Sequence, residues 1–123
     1  MATQSRIGGT IFLYVDGARY AARGNFKVNP TLFSREGVAG QDGVHGFKET
    51  PTVPSIEGEI TDLGNLSVKS VIATEEGTVT VSLGNGKTWI LMQAWFAGET
   101  SVDTVEGKLP VKWEGRDIRE VTA

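Results

Sequence analysis

What most restricts this chain is the rhythm of its apolar residues, which recur at every second position in short runs that end at turn residues. Thr78 to Leu83 (TVTVSL) alternates, Gly84-Asn85-Gly86 turns the chain, and Lys87 to Phe96 (KTWILMQAWF) returns. A period of two is that of a strand with side chains on both faces, and Asn-Gly supplies the positive φ of a tight hairpin. Thr10 to Val15, Asp16-Gly17 and Ala18 to Arg23 read as a second hairpin, for the same reason. Val53 to Asp62 sets Ile56, Gly58 and Ile60 on one face against Ser55, Glu57, Glu59 and Thr61 on the other, so a dry face backs a wet, acidic one. Asn25 to Asn29 is extended until Pro30, which cannot donate to a central ladder. Val105 to Trp113 supplies a last strand before a charged ending, Gly115 to Val121. Along Lys87 to Phe96, Trp89, Leu91, Gln93 and Trp95 share one face, and Ile90, Met92, Ala94 and Phe96 the other. Both faces are largely apolar, as expected of a strand central to a sandwich or covered by another chain.

One segment reads as helix. In Asn65 to Thr74, Leu66, Val68, Val71 and Ile72 fall near one side, with Asn65 or Ser67 as the cap, although β-branched residues work against it. The 123 residues are expected to form one domain, 1–123. Its class is all-β: an antiparallel β-sandwich or open barrel of about seven or eight strands with one short flanking helix. Sixteen glycines beside four prolines fit a protein rich in tight turns. Residues 30–50 have no sustained period, yet they hold Leu32, Phe33, Val38, Val44 and Phe47. A loop that long in so small a domain is expected to be functional, and its apolar side chains to find burial on a neighbouring subunit.

Composition removes most chemistry. With no cysteine and a single histidine, His45, the chain can build no disulfide, no thiolate zinc site and no two-histidine metal site. No apolar stretch approaches the roughly 20 residues of a membrane span, and the N-terminal residues lack the apolar stretch of a secretory signal. Glu57 with Glu59, or Glu75 with Glu76, could supply a carboxylate pair, but no motif gives them a partner. No catalytic residue, cofactor or metal is therefore expected. His45 reads as a solvated loop residue rather than a pH switch of assembly. Trp89, Trp95 and Trp113 read as core or subunit-interface packing. The alternative, a non-catalytic carbohydrate-binding β-sandwich module, would need those rings coplanar and exposed. Charge is uneven: about +3 over residues 1–48, about −7 from Glu49 to Glu106 and about +1 over the last 17. Such a pattern solvates outer faces or lets unlike ends of identical subunits meet, and it lacks the clustered cations of a duplex-binding patch.

The stretch from Asn25 to Leu66, NFKVNPTLFSREGVAGQDGVHGFKETPTVPSIEGEITDLGNL, resembles the tail tube proteins of Mu-like contractile-tailed bacteriophages. So do the TVTVSLGNGKTW hairpin, the AWFAGET corner and the VKWEGRDIREV ending. The resemblance implies a small sandwich with one flanking helix, assembled into hexameric rings whose strands join in a barrel around a lumen. Stacked rings would form the inner tube of a contractile tail, a conduit through which DNA passes without tight binding. Related tubes serve type VI secretion and bacteriocin-like particles. Implied partners are other copies of the chain, the tail sheath, a baseplate or tube initiator and a tail terminator. The implied location is the virion, after assembly in the host cytoplasm. A conduit wall should be wet and preferably of the same sign as phosphate, so Glu57 and Glu59 are the first lumen-facing candidates. Thr78, Thr80 and Ser82 are the second. Leu32, Phe33, Val44 and Phe47 are the inter-subunit candidates.

Overall fold

A computed structural model describes residues 11–64 and 66–122, in which ten strands and one helix form. In chain order these are β1 (Ile11–Val15), β2 (Ala18–Tyr20), β3 (Ala22–Asn29), β4 (Phe33–Gly40), β5 (Gly43–Pro51) and β6 (Ser55–Thr61). The helix α1 (Val68–Ile72) follows, then β7 (Gly77–Leu83), β8 (Thr88–Phe96), β9 (Lys108–Glu114) and β10 (Asp117–Val121). The main sheet runs β2-β1-β7-β8-β9-β6-β3, with β10 added on β8, and every pairing is antiparallel. Its terminal strands, β2 and β3, are separated by Ala21 alone, so the sheet curls back on itself as a nearly closed, flattened barrel. The all-β antiparallel class with one short flanking helix holds. The strand count exceeds the expected seven or eight because residues 33–51 form two strands, β4 and β5, and residues 117–121 form a third, β10.

The turns follow their residues. Asp16 and Gly17 take φ of 53° and 83°, the paired positive values that suit a right-twisted hairpin. In the β7–β8 turn the Gly86 N–H donates to the Leu83 carbonyl at 3.1 Å, and Gly86 has φ of 89°. The helix is five residues long, capped by Ser67, whose hydroxyl accepts from the Ser70 N–H. Val71 is its fully buried residue, whereas Ile72 is exposed. The other cap candidate, Asn65, lies outside the described residues.

Strict alternation fails in β8. Val79 pairs Leu91 and Gly77 pairs Ala94, so two positions of β7 face three of β8. The extra residue is absorbed at Gln93, whose φ of 51° is a left-handed value that costs an ordinary side chain about 1–2 kcal/mol. Leu91 and Ala94 consequently both enter the core, where a period of two would have put them on opposite faces. The bulge also moves β8 from one layer to the other: Thr88–Met92 pairs β10, and Trp95 and Phe96 pair β9.

The core lies between the layers. Leu13, Val15, Val79, Val81 and Leu91 come from β1, β7 and β8, and Ile56, Ile60, Leu109, Val111 and Trp113 from β6 and β9. Each large side chain removed from water contributes about 1.5–3 kcal/mol, so this set holds the barrel without a disulfide. Gly58 leaves a space on the inner face that Phe26 fills; a Cβ there would meet the Phe26 ring at 2.7 Å.

Candidate assembly surfaces

The β3–β6 pair runs from Ala22 opposite Ile60 to Asn29 opposite Ser55. Pro30 and Pro54, lacking N–H groups, interrupt it there. A neck bridges the gap: the Thr52 N–H donates to the Leu32 carbonyl at 2.9 Å, and the Thr52 hydroxyl to the Thr31 carbonyl at 2.6 Å. Pairing then resumes as a separate two-stranded sheet, β4 with β5, from Phe33 opposite Pro51 to Gly40 opposite Gly43. The segment expected to be a long loop is thus a β-hairpin extending the β3–β6 ribbon beyond the barrel. All residues of both strands are exposed.

Register gives this hairpin two unlike faces. Phe33, Arg35, Gly37 and Ala39 stand on one face of β4, opposite Pro51, Glu49, Phe47 and Val44. Ser34 and Glu36 stand on the other, opposite Thr50 and Lys48. Phe33 is 53% exposed, Phe47 60% and Val44 82%, which leaves one apolar face without cover in the isolated chain. Three of the four inter-subunit candidates therefore share a face, while Leu32 is half-buried in the neck. Cross-strand pairs hold the ribbon: Arg35 to Glu49 at 2.8 Å and Lys48 to Glu36 at 3.4 Å, with the Arg35 guanidinium 5.2 Å from the Phe47 ring centre. At the tip, His45 Nε2 lies 2.6 Å from Asp42 Oδ1, and this hydrogen bond lowers the Asp42 carboxyl below its ordinary value. Glycines at 37, 40, 43 and 46 dilute the pattern, which hid the hairpin from a periodicity reading. The available signal was Asp42-Gly43 at its tip.

The two sets of lumen candidates occupy opposite outer surfaces. Glu57 and Glu59 point away from the core on the β3–β6–β9 layer, beside the inward Ile56 and Ile60. Thr78, Thr80 and Ser82 point away from it on the β1–β7–β8 layer, where Thr80 lies opposite Tyr14 and Ile90, and Ser82 opposite Phe12 and Thr88. At most one set can line a single lumen. The register also changes the charge of the first surface. Glu57 stands between Lys27 and Lys112, and Glu59 between Arg23 and Pro110. The Lys108 ammonium, 3.7 Å from Glu59 and 3.0 Å from Glu106, is held above its ordinary pKa chiefly by Glu106. The surface is a lattice of alternating sign rather than an acidic stripe, because the sequence reading counted one strand and the ladder sets three side by side.

Of the tryptophans, Trp113 is fully buried and packs edge-on against Phe96 at 6.0 Å, while Trp89 and Trp95 are half-buried. They do not form a common exposed platform. Among the described residues no cluster of three His, Asp or Glu side chains gathers as metal ligands.

An apolar core inside a nearly closed barrel, one charged outer surface, one that mixes polar and apolar side chains, and a projecting hairpin with an exposed apolar face define a class of small barrel protein. Solved structures share the fold. The chain matches the sheath/tube terminator of an extracellular contractile injection system with a TM-score of 0.65 and 12% identity, covering 91% of this chain and 93% of that one. The tube-terminating cap of the anti-feeding prophage gives 0.66 and 12%, covering 92% and 88%. Hcp1 from Flavobacterium johnsoniae gives 0.59 and 13%, covering 92% and 95%. Sequence narrows the class. Residues 4–120 match the model of the phage tail tube protein family, and 95 residues are 30% identical to the tail tube protein of Escherichia phage Mu, covering 77% of this chain and 80% of that one. The chain belongs to the phage tail tube protein family. It is a structural component of a phage tail, not an enzyme.

Proposed function

We propose that copies of this chain form hexameric rings that stack into the hollow inner tube of a contractile tail, through which DNA passes during infection. The observation that carries the reading is the hairpin: an amphipathic ribbon, separate from the main sheet, whose Phe33, Val44 and Phe47 share one exposed face. Burial of that face on another copy supplies the missing cover and links subunits. The likeness to tube and terminator proteins of contractile injection systems supports a surrounding sheath and a closing terminator as partners. A baseplate or initiator at the other end, assembly in the host cytoplasm and residence in the virion complete the proposal. Proteins of extracellular contractile injection systems share the fold, and the identity to the phage Mu protein favours a phage tail over the alternative of a secretion or bacteriocin-like tube. Negative-stain electron microscopy of the purified protein across concentration is expected to reveal six-fold rings and hollow stacks; folded monomers at every concentration would count against the reading.

For the lumen, the two surfaces call for a choice. The β3–β6–β9 surface bearing Glu57 and Glu59 is charged and, among the described residues, presents no large exposed apolar side chain, whereas the surface bearing Thr78, Thr80 and Ser82 also carries Phe12, Tyr14, Ile90 and Met92. A wet, charge-balanced wall lets a polyanion slide without adhering, so we assign Glu57 and Glu59 to the lumen and the threonine surface to the outside. The chain has no cysteine, so single Glu59→Cys and Thr80→Cys variants carry a unique thiol. In assembled tubes a bulky polymer-linked maleimide is expected to reach position 80 and not 59. The reverse pattern would overturn the assignment.

A further inference from the structure

We propose that Asn85, in the turn between β7 and β8, is a site of spontaneous deamidation, and that opening of this turn sets its rate. The proposal does not depend on how copies of the chain assemble.

The chain has four asparagines, and the residue after each decides its chemistry. In the reaction the main-chain nitrogen of that next residue attacks the side-chain Cγ. A cyclic imide forms, and ammonia leaves with the proton that the main-chain nitrogen gives up by way of solvent. Water then opens the ring at either carbonyl to leave aspartate or its β-linked isomer, so amide plus water becomes acid plus ammonia with no oxidant or reductant. Asn29 precedes Pro30, whose nitrogen has no proton to give up. Asn25 and Asn65 precede Phe26 and Leu66, whose side chains crowd the attacking nitrogen. Asn85 is the asparagine that precedes a glycine, Gly86, with no Cβ in the way.

The turn prepares one reacting group and withholds the other. The Lys87 N–H donates to Asn85 Oδ1 at 3.0 Å. That bond holds the side-chain amide against the backbone beside Gly86 and draws electrons towards Oδ1, where charge develops during the attack. The Gly86 N–H, however, is spent on the Leu83 carbonyl at 3.1 Å, with Gly86 at a φ of 89°. The nucleophile is therefore released only when the turn opens. Residues 85–87 are half-exposed at the end of the hairpin, where local opening costs far less than unfolding of the core.

The product alters the turn that made it. Either isomer sets a new carboxylate near Lys87, whose ammonium holds Glu120 at 2.8 Å. The β-linked isomer also lengthens the main chain, which a turn this tight absorbs only by losing the Gly86 to Leu83 bond.

The test keeps the full chain in mildly alkaline buffer, either folded or in concentrated urea, and follows its peptides by mass spectrometry with fragmentation that separates the two isomers. Asn85 is expected to convert first of the four asparagines in both samples. In the folded chain it is expected to convert at least about tenfold more slowly, the factor for an opening cost of about 1.4 kcal/mol. Asn85→Gln, which keeps an amide but must close a larger ring, is expected to remove the early mass gain. Earlier conversion of another asparagine would overturn the site. Equal rates in the two samples, or a folded chain that never converts without urea, would overturn its control by local opening of the turn.

Discussion

The barrel body and the hairpin are made from one sequence by opposite rules. In the body every strand finds a partner and Leu13, Ile56, Ile60, Leu91, Leu109 and Trp113 are fully buried, so the fold has its core within the chain. The hairpin has strand pairing and cross-strand ion pairs but no core, and its phenylalanines face water. An isolated two-stranded ribbon is marginal at best in water, and on the proposed function this one draws its final order from another copy. The body therefore specifies a subunit, and under the proposed function the hairpin specifies what the subunit joins.

The contrast can be broken or sharpened by substitution. Leu91→Ala removes a fully buried side chain from the strand that joins both layers. It is expected to cost about 2–5 kcal/mol in chemical denaturation and to abolish assembly only because the subunit no longer folds. Gly58→Val drives a side chain into the Phe26 ring and is expected to cost about 1–3 kcal/mol by overpacking, read in the same way. Gln93→Gly relieves the left-handed φ in the β8 bulge. After the entropy of the added glycine, it is expected to gain between zero and about 1 kcal/mol.

On the other side of the comparison, Phe33→Asp with Phe47→Asp should leave the denaturation midpoint of the monomer nearly unchanged, within about 0.5 kcal/mol as for exposed sites, while eliminating tubes. A large loss of monomer stability would mean that the hairpin packs on its own body. The smallest effect lies at the tip. Asp42 is held below its ordinary value of 3.8 by His45, so this contact stabilises the folded tip above pH 3.8 and is lost as the pH falls through the lower folded value. In the His45→Ala variant, an NMR titration is expected to find the Asp42 midpoint raised towards 3.8.

Much of the body was legible in the sequence because its signals are local. Asp16-Gly17 and Gly84-Asn85-Gly86 dictate their turns, and the alternation of Ile56, Gly58 and Ile60 fixes which face of β6 is dry. What escaped depends on partners distant in sequence. Nothing within Lys87 to Phe96 announces the bulge at Gln93, which arises because one strand must serve two layers. The cations that flank Glu57 and Glu59 come from β3 and β9, so the charge of that surface is a property of register rather than of any segment. The shared face of Phe33, Val44 and Phe47 became visible only once β4 and β5 were paired.

The most direct measurement is hydrogen–deuterium exchange followed by mass spectrometry, comparing amides of residues 33–51 with those of β7 and β8 in monomer and in assembled tube. In the monomer the body amides are expected to be protected and the hairpin amides to exchange rapidly; in the tube the hairpin is expected to become protected while the body changes little. A hairpin as protected as the body in the monomer, or still unprotected in the tube, would contradict the view that it is completed by another copy of the chain.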